Sequence, residues 1–191
     1  QPIRRFSMDA AILFSDIMTP LEGMGLELEF APGPVIGNPV RSAAEVDALT
    51  GIEPEESVPF VLETIRILST ELPSSAPLIG FAGAPFTLFC YVVEGRGSRT
   101  FSTAKAFLFA ESSAAVRLLE KLADVTASYL TAQAAAGAQA LMLFDSWAGI
   151  LGPEDYNCYG LPSVARVLDR LEPLGLPLIY FPNQGSTLLA E

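Results

Sequence analysis

Four apolar runs punctuate the chain, and each stops abruptly at small or polar residues. The first is Ala10-Ala11-Ile12-Leu13-Phe14, which ends at Ser15-Asp16-Ile17. The others are Leu78-Ile79-Gly80-Phe81-Ala82 before Gly83-Ala84-Pro85, Ala140-Leu141-Met142-Leu143-Phe144 before Asp145-Ser146-Trp147, and Leu178-Ile179-Tyr180-Phe181 before Pro182-Asn183. Short continuous apolar runs bounded by turn residues predict buried strands, here over 10–15, 76–82, 139–144 and from 178 onward. Between them the period changes to that of a helix. Val58, Val61, Leu62, Ile65 and Leu68 share a face over 57–72, with Ser57 as a cap, Pro59 in the first turn and Pro73 as the stop. Ala84-Pro85 opens a helix across 86–93 that ends at Gly95-Arg96-Gly97, and a short helix follows over 101–110. The longest spans 112–136, with Ala115, Leu118, Leu119, Leu122, Val125 and Tyr129 on one face and Gly137 as C-cap. Gly152-Pro153 starts a helix to about 172 that Pro162 should kink or split. Gly175 ends it, and Gly185 precedes another helix.

Residues 18–56 form an excursion. Leu26-Glu27-Leu28-Glu29-Phe30 alternates as a short strand would, Pro32-Gly33-Pro34 and Gly37-Asn38-Pro39 read as turns, and Ser42 can cap a helix over 43–49. Continuously apolar strands separated by helices argue an α/β fold with a parallel sheet covered on both faces. The first two crossovers are long and the third is minimal.

Composition narrows the function. The 191 residues are 50% hydrophobic and 17% charged, as suits a well-buried globular chain. No apolar run reaches the ~18–20 residues of a membrane-spanning helix, and no long apolar region follows Arg4-Arg5 as a signal peptide would require. The absence of an initiator Met and the ending Leu188-Leu189-Ala190-Glu191, which reads like the opening of a helix, suggest a chain cut at both ends. Cys90 and Cys158 lie apart in apolar or aromatic surroundings and are expected to be buried, reduced thiols. Histidine is absent, which removes the commonest metal ligand and general base. A net charge of −11 argues against nucleic acid. It would also repel a polyanionic small molecule unless arginines gather at the site.

In parallel α/β folds chemistry sits at the carboxyl ends of the strands. The candidates are therefore Ser15 and Asp16, Gly83 to Pro85, Asp145 to Trp147, and Pro182 to Gln184. Asp16 fits either a helix cap or an acid in a partly dry pocket. Asp145 could cap, and Ser146 could satisfy nearby backbone. Gly80 and Gly83 read as packing glycines, and Tyr91 on spacing alone reads as core. Glu94-Gly95-Arg96-Gly97-Ser98-Arg99 could cradle an anion, although it follows a helix and is not a dinucleotide fingerprint. No metal-site motif is present.

Taken together, these stretches resemble the uroporphyrinogen decarboxylase family. Gln1-Pro2-Ile3-Arg4-Arg5 through Ala10 to Ile17 is similar to the signature around that family's central aspartate. Ile79-Gly80-Phe81-Ala82-Gly83-Ala84-Pro85-Phe86-Thr87-Leu88, then Tyr91 and Val93-Glu94-Gly95-Arg96-Gly97-Ser98, is similar to a second signature, and Leu143-Phe144-Asp145-Ser146-Trp147-Ala148-Gly149 to a third. The resemblance runs in order along essentially the whole chain. It departs at Arg96, where glycine is usual, and at Phe181 to Gly185. The family's arginine-bearing first strand segment and a late histidine are missing.

The resemblance implies a (β/α)8 TIM barrel. Residues 1–191 would form a single partial barrel domain, incomplete at both ends, holding roughly the second to fifth strands of a fold of about 250 residues. It implies four acetate decarboxylations that convert uroporphyrinogen III to coproporphyrinogen III, with no cofactor or metal. Asp16 would accept hydrogen bonds from the pyrrole N–H groups and stabilise the protonated pyrrole that loses CO2. Tyr91 and Ser146 would contact substrate near its acidic side chains, and Ile12, Phe14 and Phe81 would wall the cleft. A cytoplasmic homodimer is implied (a plastid in a photosynthetic eukaryote), without membrane or nucleic-acid partners. The chain alone is expected to be inactive. Two alternatives stand beside this: a non-catalytic remnant, and a cobalamin- or thiol-linked methyltransferase of the same superfamily, which the lack of histidine disfavours.

Overall fold

The structure, a computed structural model, describes residues 2–30 and 33–188. In chain order its regular elements begin with α1 (Pro2–Phe6), β1 (Ala11–Ile12), a 3-10 helix (Thr19–Met24), β2 (Leu28–Phe30), β3 (Pro34–Ile36), α2 (Ala43–Ala48), α3 (Pro54–Ser57) and α4 (Pro59–Glu71). There follow β4 (Leu78–Gly83), α5 (Pro85–Glu94), α6 (Ser102–Ala110), α7 (Ser112–Ala136) and β5 (Ala140–Asp145). A short 3-10 turn, α8 (Pro153–Asp155), a π-helical turn (Tyr156–Gly160), α9 (Leu161–Leu171) and β6 (Leu178–Pro182) complete the order. The four expected strands form one parallel sheet in the order β1-β4-β5-β6, so each long strand pairs with the next. This is an arc of a (β/α)8 barrel.

Alternation along the strands separates two faces. Leu78, Ala82, Leu141 and Leu143 point outward and pack against Val61, Leu62 and Ile65 of α4, Ala127 and Leu130 of α7, and Val164 and Val167 of α9. The other face is open, as a partial barrel implies and contrary to the sheet covered on both faces that hydrophobic period alone argued. There Ile12, Phe14, Ile179 and Phe181 are exposed, Phe14 at 82%. A barrel arc has helices only outside, so its inner residues face across the barrel rather than against a second helical layer.

Helix α7 lies at the centre of the packing. Its first half packs Leu118, Leu119, Leu122 and Val125 with Phe86 and Phe89 of α5. Its second half turns Ala123, Ala127, Tyr129 and Leu130 toward the sheet. Gly137 ends it with φ of 121° while its N–H reaches back to the Ala134 carbonyl, so glycine is needed there.

Two expectations need correction. Pro34 does not close a turn but starts β3, which pairs antiparallel with β2 through Leu28–Ile36 and Phe30–Pro34. Proline is tolerated as the first residue of such a two-stranded ribbon. Cys90 is buried as expected, whereas Cys158 is exposed, because it lies in the π-helical turn. That turn is also how Pro162 splits the helix: it sits in the first turn of α9, and the widened turn before it absorbs the hydrogen bond that proline cannot donate. The helix expected after Gly185 falls mostly on 189–191, outside the described residues.

β1 pairs with β4 only briefly. Ala11 N–H donates to the Pro77 carbonyl (2.9 Å) and Leu13 N–H to that of Ile79 (3.3 Å). The next bond in that sequence would run from Ser15 to Phe81. Instead the buried Gln133 of α7 takes both backbone groups of Phe81. Its Nε2 donates to the carbonyl (2.9 Å), and its Oε1 accepts the N–H (3.0 Å). Gly80 makes room, since a Cβ there would lie 2.6 Å from Gln133 Oε1. Replacing Gln133 by Leu therefore strands a buried donor and a buried acceptor, each at about 1–3 kcal/mol. Q133L is expected to lower the urea-unfolding free energy by at least about 2 kcal/mol, read by circular dichroism.

Candidate functional site

After Leu13 the chain leaves the sheet and makes a tight turn. Met18 N–H donates to Asp16 Oδ1 (2.9 Å), while the Thr19 N–H (3.1 Å) and hydroxyl (2.8 Å) donate to the Asp16 carbonyl. Asp16 thus closes the turn ahead of the 3-10 helix, whose own N-cap position is Met18, so it is a turn residue rather than the helix cap the sequence allowed. It is also half-buried at the strand end, and among the described residues no donor occupies its second carboxylate oxygen. The turn is pressed onto β4: a Cβ at Gly83 would lie 3.1 Å from Ile17 Cβ and 2.8 Å from Leu88 Cδ2. Gly80 and Gly83 are packing glycines, as expected.

The inner sheet face carries one phenylalanine per strand. Phe14 stacks on Phe81 with centroids 5.6 Å apart, Phe81 meets Phe144 edge-on at 5.4 Å, and Phe144 meets Phe181 at 5.7 Å. Phe81 is buried between its neighbours at 3% exposure. Ile12 lies two residues before Phe14 on the same face, 43% exposed. Of the three expected wall residues, Phe14 and Phe81 touch directly. Sequence reasoning missed Phe144 and Phe181. The signal was available: both stand in their strands where period-two alternation from Met142 and Ile179 reaches the same face, and the register aligns them.

Tyr91 and Ser146 sit around a separate aromatic group. Tyr91, half-buried on α5, meets Phe101 at 5.9 Å and Trp147 at 6.3 Å, while Trp147 lies 4.6 Å from Phe101. Ser146 precedes Trp147 in the turn after β5 and is half-buried, its carbonyl accepting from Asn183 Nδ2 (3.2 Å). Thus the structure places Tyr91 beside the Ser146–Trp147 turn, and Ile12, Phe14 and Phe81 below Asp16 on the inner face. The β5 and β6 end loops meet closely: a Cβ at Gly149 would lie 2.8 Å from the Asn183 carbonyl oxygen.

Asp145 has a different place from Asp16. It is fully buried and caps no helix. Thr87 Oγ1 donates to its Oδ1 (2.7 Å) and the Tyr180 hydroxyl to its Oδ2 (2.8 Å). The Tyr156 hydroxyl donates in turn to that of Tyr180 (3.0 Å). Burial pushes the Asp145 carboxyl above its usual range, against the two hydroxyl bonds that favour its charged form. Burial, then the charge of Asp145, pushes the Tyr180 hydroxyl up as well. Sequence reasoning named neither Thr87 nor Tyr180 as a partner of this acid, because they come from two other elements, 58 and 35 residues away in the chain.

In the loop over 94–99 the polar side chains of Glu94 and Ser98 serve the protein's own backbone. Glu94 accepts the N–H groups of Thr103 and Ala104 (3.0 Å each), so its own carboxylate fills the first turn of α6. Ser98 Oγ accepts the N–H of Phe101 (3.0 Å). Gly95 holds the left-handed position (φ 89°), which leaves Arg96 free to form an extended bridge with Val35.

The Asp145 environment sets a pH dependence. A carboxyl whose folded value is raised contributes most to stability below its unfolded value of about 3.9 and loses that contribution as pH rises through the folded value. Asp145→Asn removes the ionisation. The stability of D145N relative to the parent chain should therefore increase between pH 4 and 7, measured by urea unfolding at each pH. A falling difference would contradict the burial argument.

Comparison with known proteins fits this arrangement to a family. The family model for uroporphyrinogen decarboxylase (URO-D) matches residues 1–191. The chain is 52% identical over 189 residues to the uroporphyrinogen decarboxylase of Syntrophotalea carbinolica, covering 99% of this chain and 55% of that protein. It is 51% identical over 191 residues to that of Carboxydothermus hydrogenoformans, with the same coverage. The chain therefore spans about half the length of these curated relatives. Among solved structures, a methyltransferase from Methanosarcina mazei superposes with a TM-score of 0.76 at 15% identity, over 94% of this chain and 52% of that one, a likeness of fold alone. With the family model matching from the first residue to the last, the chain belongs to the uroporphyrinogen decarboxylase family.

Proposed function

We propose that this chain supplies part of a (β/α)8 barrel domain that decarboxylates uroporphyrinogen III to coproporphyrinogen III, without a cofactor. The observation that carries the reading is the position of Asp16: a half-buried carboxylate with one oxygen fixed by its own turn, at the rim of a row of four aromatic rings. A flat apolar floor accommodates a macrocycle by its faces, while its inward N–H groups require an acceptor at the centre. Asp16 would take those hydrogen bonds and offset the positive charge on the protonated pyrrole as CO2 departs. The apolar surroundings strengthen that interaction relative to water.

In this reading Ile12, Phe14 and Phe81 form the cleft wall, joined by Phe144 and Phe181. Tyr91 and Ser146 meet the substrate near its acidic side chains. The protein would work as a homodimer in the cytoplasm. No helix of the described residues is long and apolar enough to cross a membrane.

The test uses a full-length barrel in which residues 1–191 replace the matching part of the Syntrophotalea carbinolica protein. Asp16→Ala and Asp16→Asn are each expected to lower kcat by at least about 100-fold, the scale of losing one preorganised electrostatic group, with product acids resolved by chromatography. Decarboxylation at the parent rate in either variant would sink the reading.

A further inference from the structure

The buried carboxylate at the end of β5 has no part in the chemistry proposed above, yet it is tied to the turn that carries Ser146. Ionised, a carboxylate only accepts hydrogen bonds. Thr87 must therefore direct its single hydroxyl proton at Asp145 Oδ1 (2.7 Å), which leaves the Thr87 oxygen lone pairs free. One of them accepts the backbone N–H of Trp147 at 3.1 Å. On the far side, Tyr156 donates to Tyr180 and Tyr180 to Asp145 Oδ2. The chain of bonds thus runs from the π-helical turn through β6 and β5 to α5, and ends on the residue after Ser146.

The Trp147 side chain has no polar tie of its own. Its Nε1 is buried, without a hydrogen-bond partner among the described residues. The ring is held by contact with Phe101 and Tyr91. The Trp147 main chain is held at two points: the carbonyl accepts the Ile150 N–H (3.1 Å) within the following 3-10 turn, and the N–H to Thr87 ties that turn to α5. Moving it would shift Ser146 beside it and Tyr91 against it.

We propose that Thr87 and Asp145 are positioning residues, which hold the Ser146–Trp147 turn and Tyr91 in one fixed relation through the hydrogen bond from Trp147 N–H to Thr87. Neither residue contacts substrate. The assignment of Tyr91 and Ser146 as substrate contacts rests on the reading above; the anchoring of the turn does not.

Trp147 is the one tryptophan in the sequence, so its fluorescence reports this turn directly. In the 191-residue chain, Thr87→Val keeps the side-chain shape but removes the hydroxyl, and Thr87→Ser keeps the hydroxyl. Thr87→Val is expected to red-shift the emission and raise acrylamide quenching about twofold, while Thr87→Ser matches the parent. An unchanged Thr87→Val spectrum in a chain folded by circular dichroism overturns the proposal, as does a Thr87→Ser shift equal to that of valine. Should the valine variant fail to fold, amide exchange in the parent decides: Trp147 N–H is expected to be protected, and exchange at the free-peptide rate overturns the proposal. In the full-length barrel, Thr87→Val should raise KM several-fold and leave kcat within about twofold, because binding contacts are displaced while Asp16 stays. A drop in kcat at unchanged KM would refute the positioning role. If instead Asp16 variants keep full activity, the decarboxylase reading fails, and the fluorescence result stands on its own.

Discussion

The arrangement at the candidate site depends on where β1 stops pairing with β4. Two bonds from β1 follow the parallel ladder, and then Gln133 occupies Phe81 from the helix side. A side-chain amide offers an N–H and a C=O side by side, so Gln133 can meet both backbone groups of Phe81 in place of a strand. The substitution keeps β4 satisfied and frees β1 to diverge. Divergence puts Phe14 over Phe81 rather than level with it in the sheet, and lets the chain turn back at Asp16 against Gly83. A β1 that stayed paired through Ser15 would carry Asp16 on along the sheet instead of folding it into its own turn. Gly80 is part of the same device, because any Cβ would collide with the amide.

Two aspartates follow apolar strands in the same way and end in opposite circumstances. Asp16 is half-buried, with one carboxylate oxygen held by the Met18 N–H and the other without a donor among the described residues. Asp145 is closed off, and hydroxyls from Thr87 and Tyr180 take both oxygens. The difference comes from what the neighbouring strand and helix bring. β6 places Tyr180 outward, beside the buried end of β5, and α5 places Thr87 in its first turn above it. Among the described residues no cation pairs with Asp145, its two oxygens are met by hydroxyls, and burial raises its carboxyl. A buried, fully bonded acid is suited to hold geometry, and a half-buried acid with a free oxygen is suited to meet a ligand.

Much of this was legible in the chain. The four strands, the helices between them and the strand-end location of Asp16 and Ser146 follow from hydrophobic period and from proline and glycine placement. Helix α7 and its Gly137 cap lie where the pattern puts them. What was not legible depended on partners distant in sequence. Nothing local marks Gln133 as the surrogate for a strand, since it reads as one more polar residue in an alanine-rich helix. Nothing local separates Asp145 from Asp16. The strand starting at Pro34 was hidden because Pro-Gly-Pro spells a turn, while Pro34 itself pairs with Phe30. The partial barrel that the resemblance implies leaves the inner face open, whereas hydrophobic period alone argued a sheet covered on both faces. Period shows that a strand is apolar on both sides, but not whether helices or the opposite wall of a barrel will cover each side.

The charges bear on how a polyanionic substrate could be met. Six cationic side chains are already committed on the outer layer. Arg41 donates to the Val93 and Glu94 carbonyls at the end of α5, and Lys121 to the Asp47 and Leu49 carbonyls. Arg66 pairs with Glu55 and Glu63, Arg117 with Asp47, and both Arg166 and Arg170 with Asp124. The last pair holds the Asp124 carboxyl below its usual range, chiefly through the hydrogen bond from Arg166. Such exposed pairs contribute at most about 1 kcal/mol each to stability. Their larger effect is on the field: they fix positive charge among the helices, on the side of the sheet away from the aromatic row. The inner face is left apolar, with Asp16 as the acid at its rim. For the proposed substrate this divides recognition in two. The macrocycle and its N–H groups are met by the inner face and Asp16, while the peripheral carboxylates must be met by cations other than these six. A chain of net charge −11 can then bind a polyanion only by contacts at the ligand's periphery, where the field of a few unpaired cations is strong and that of the helical layer is screened within about 8–10 Å.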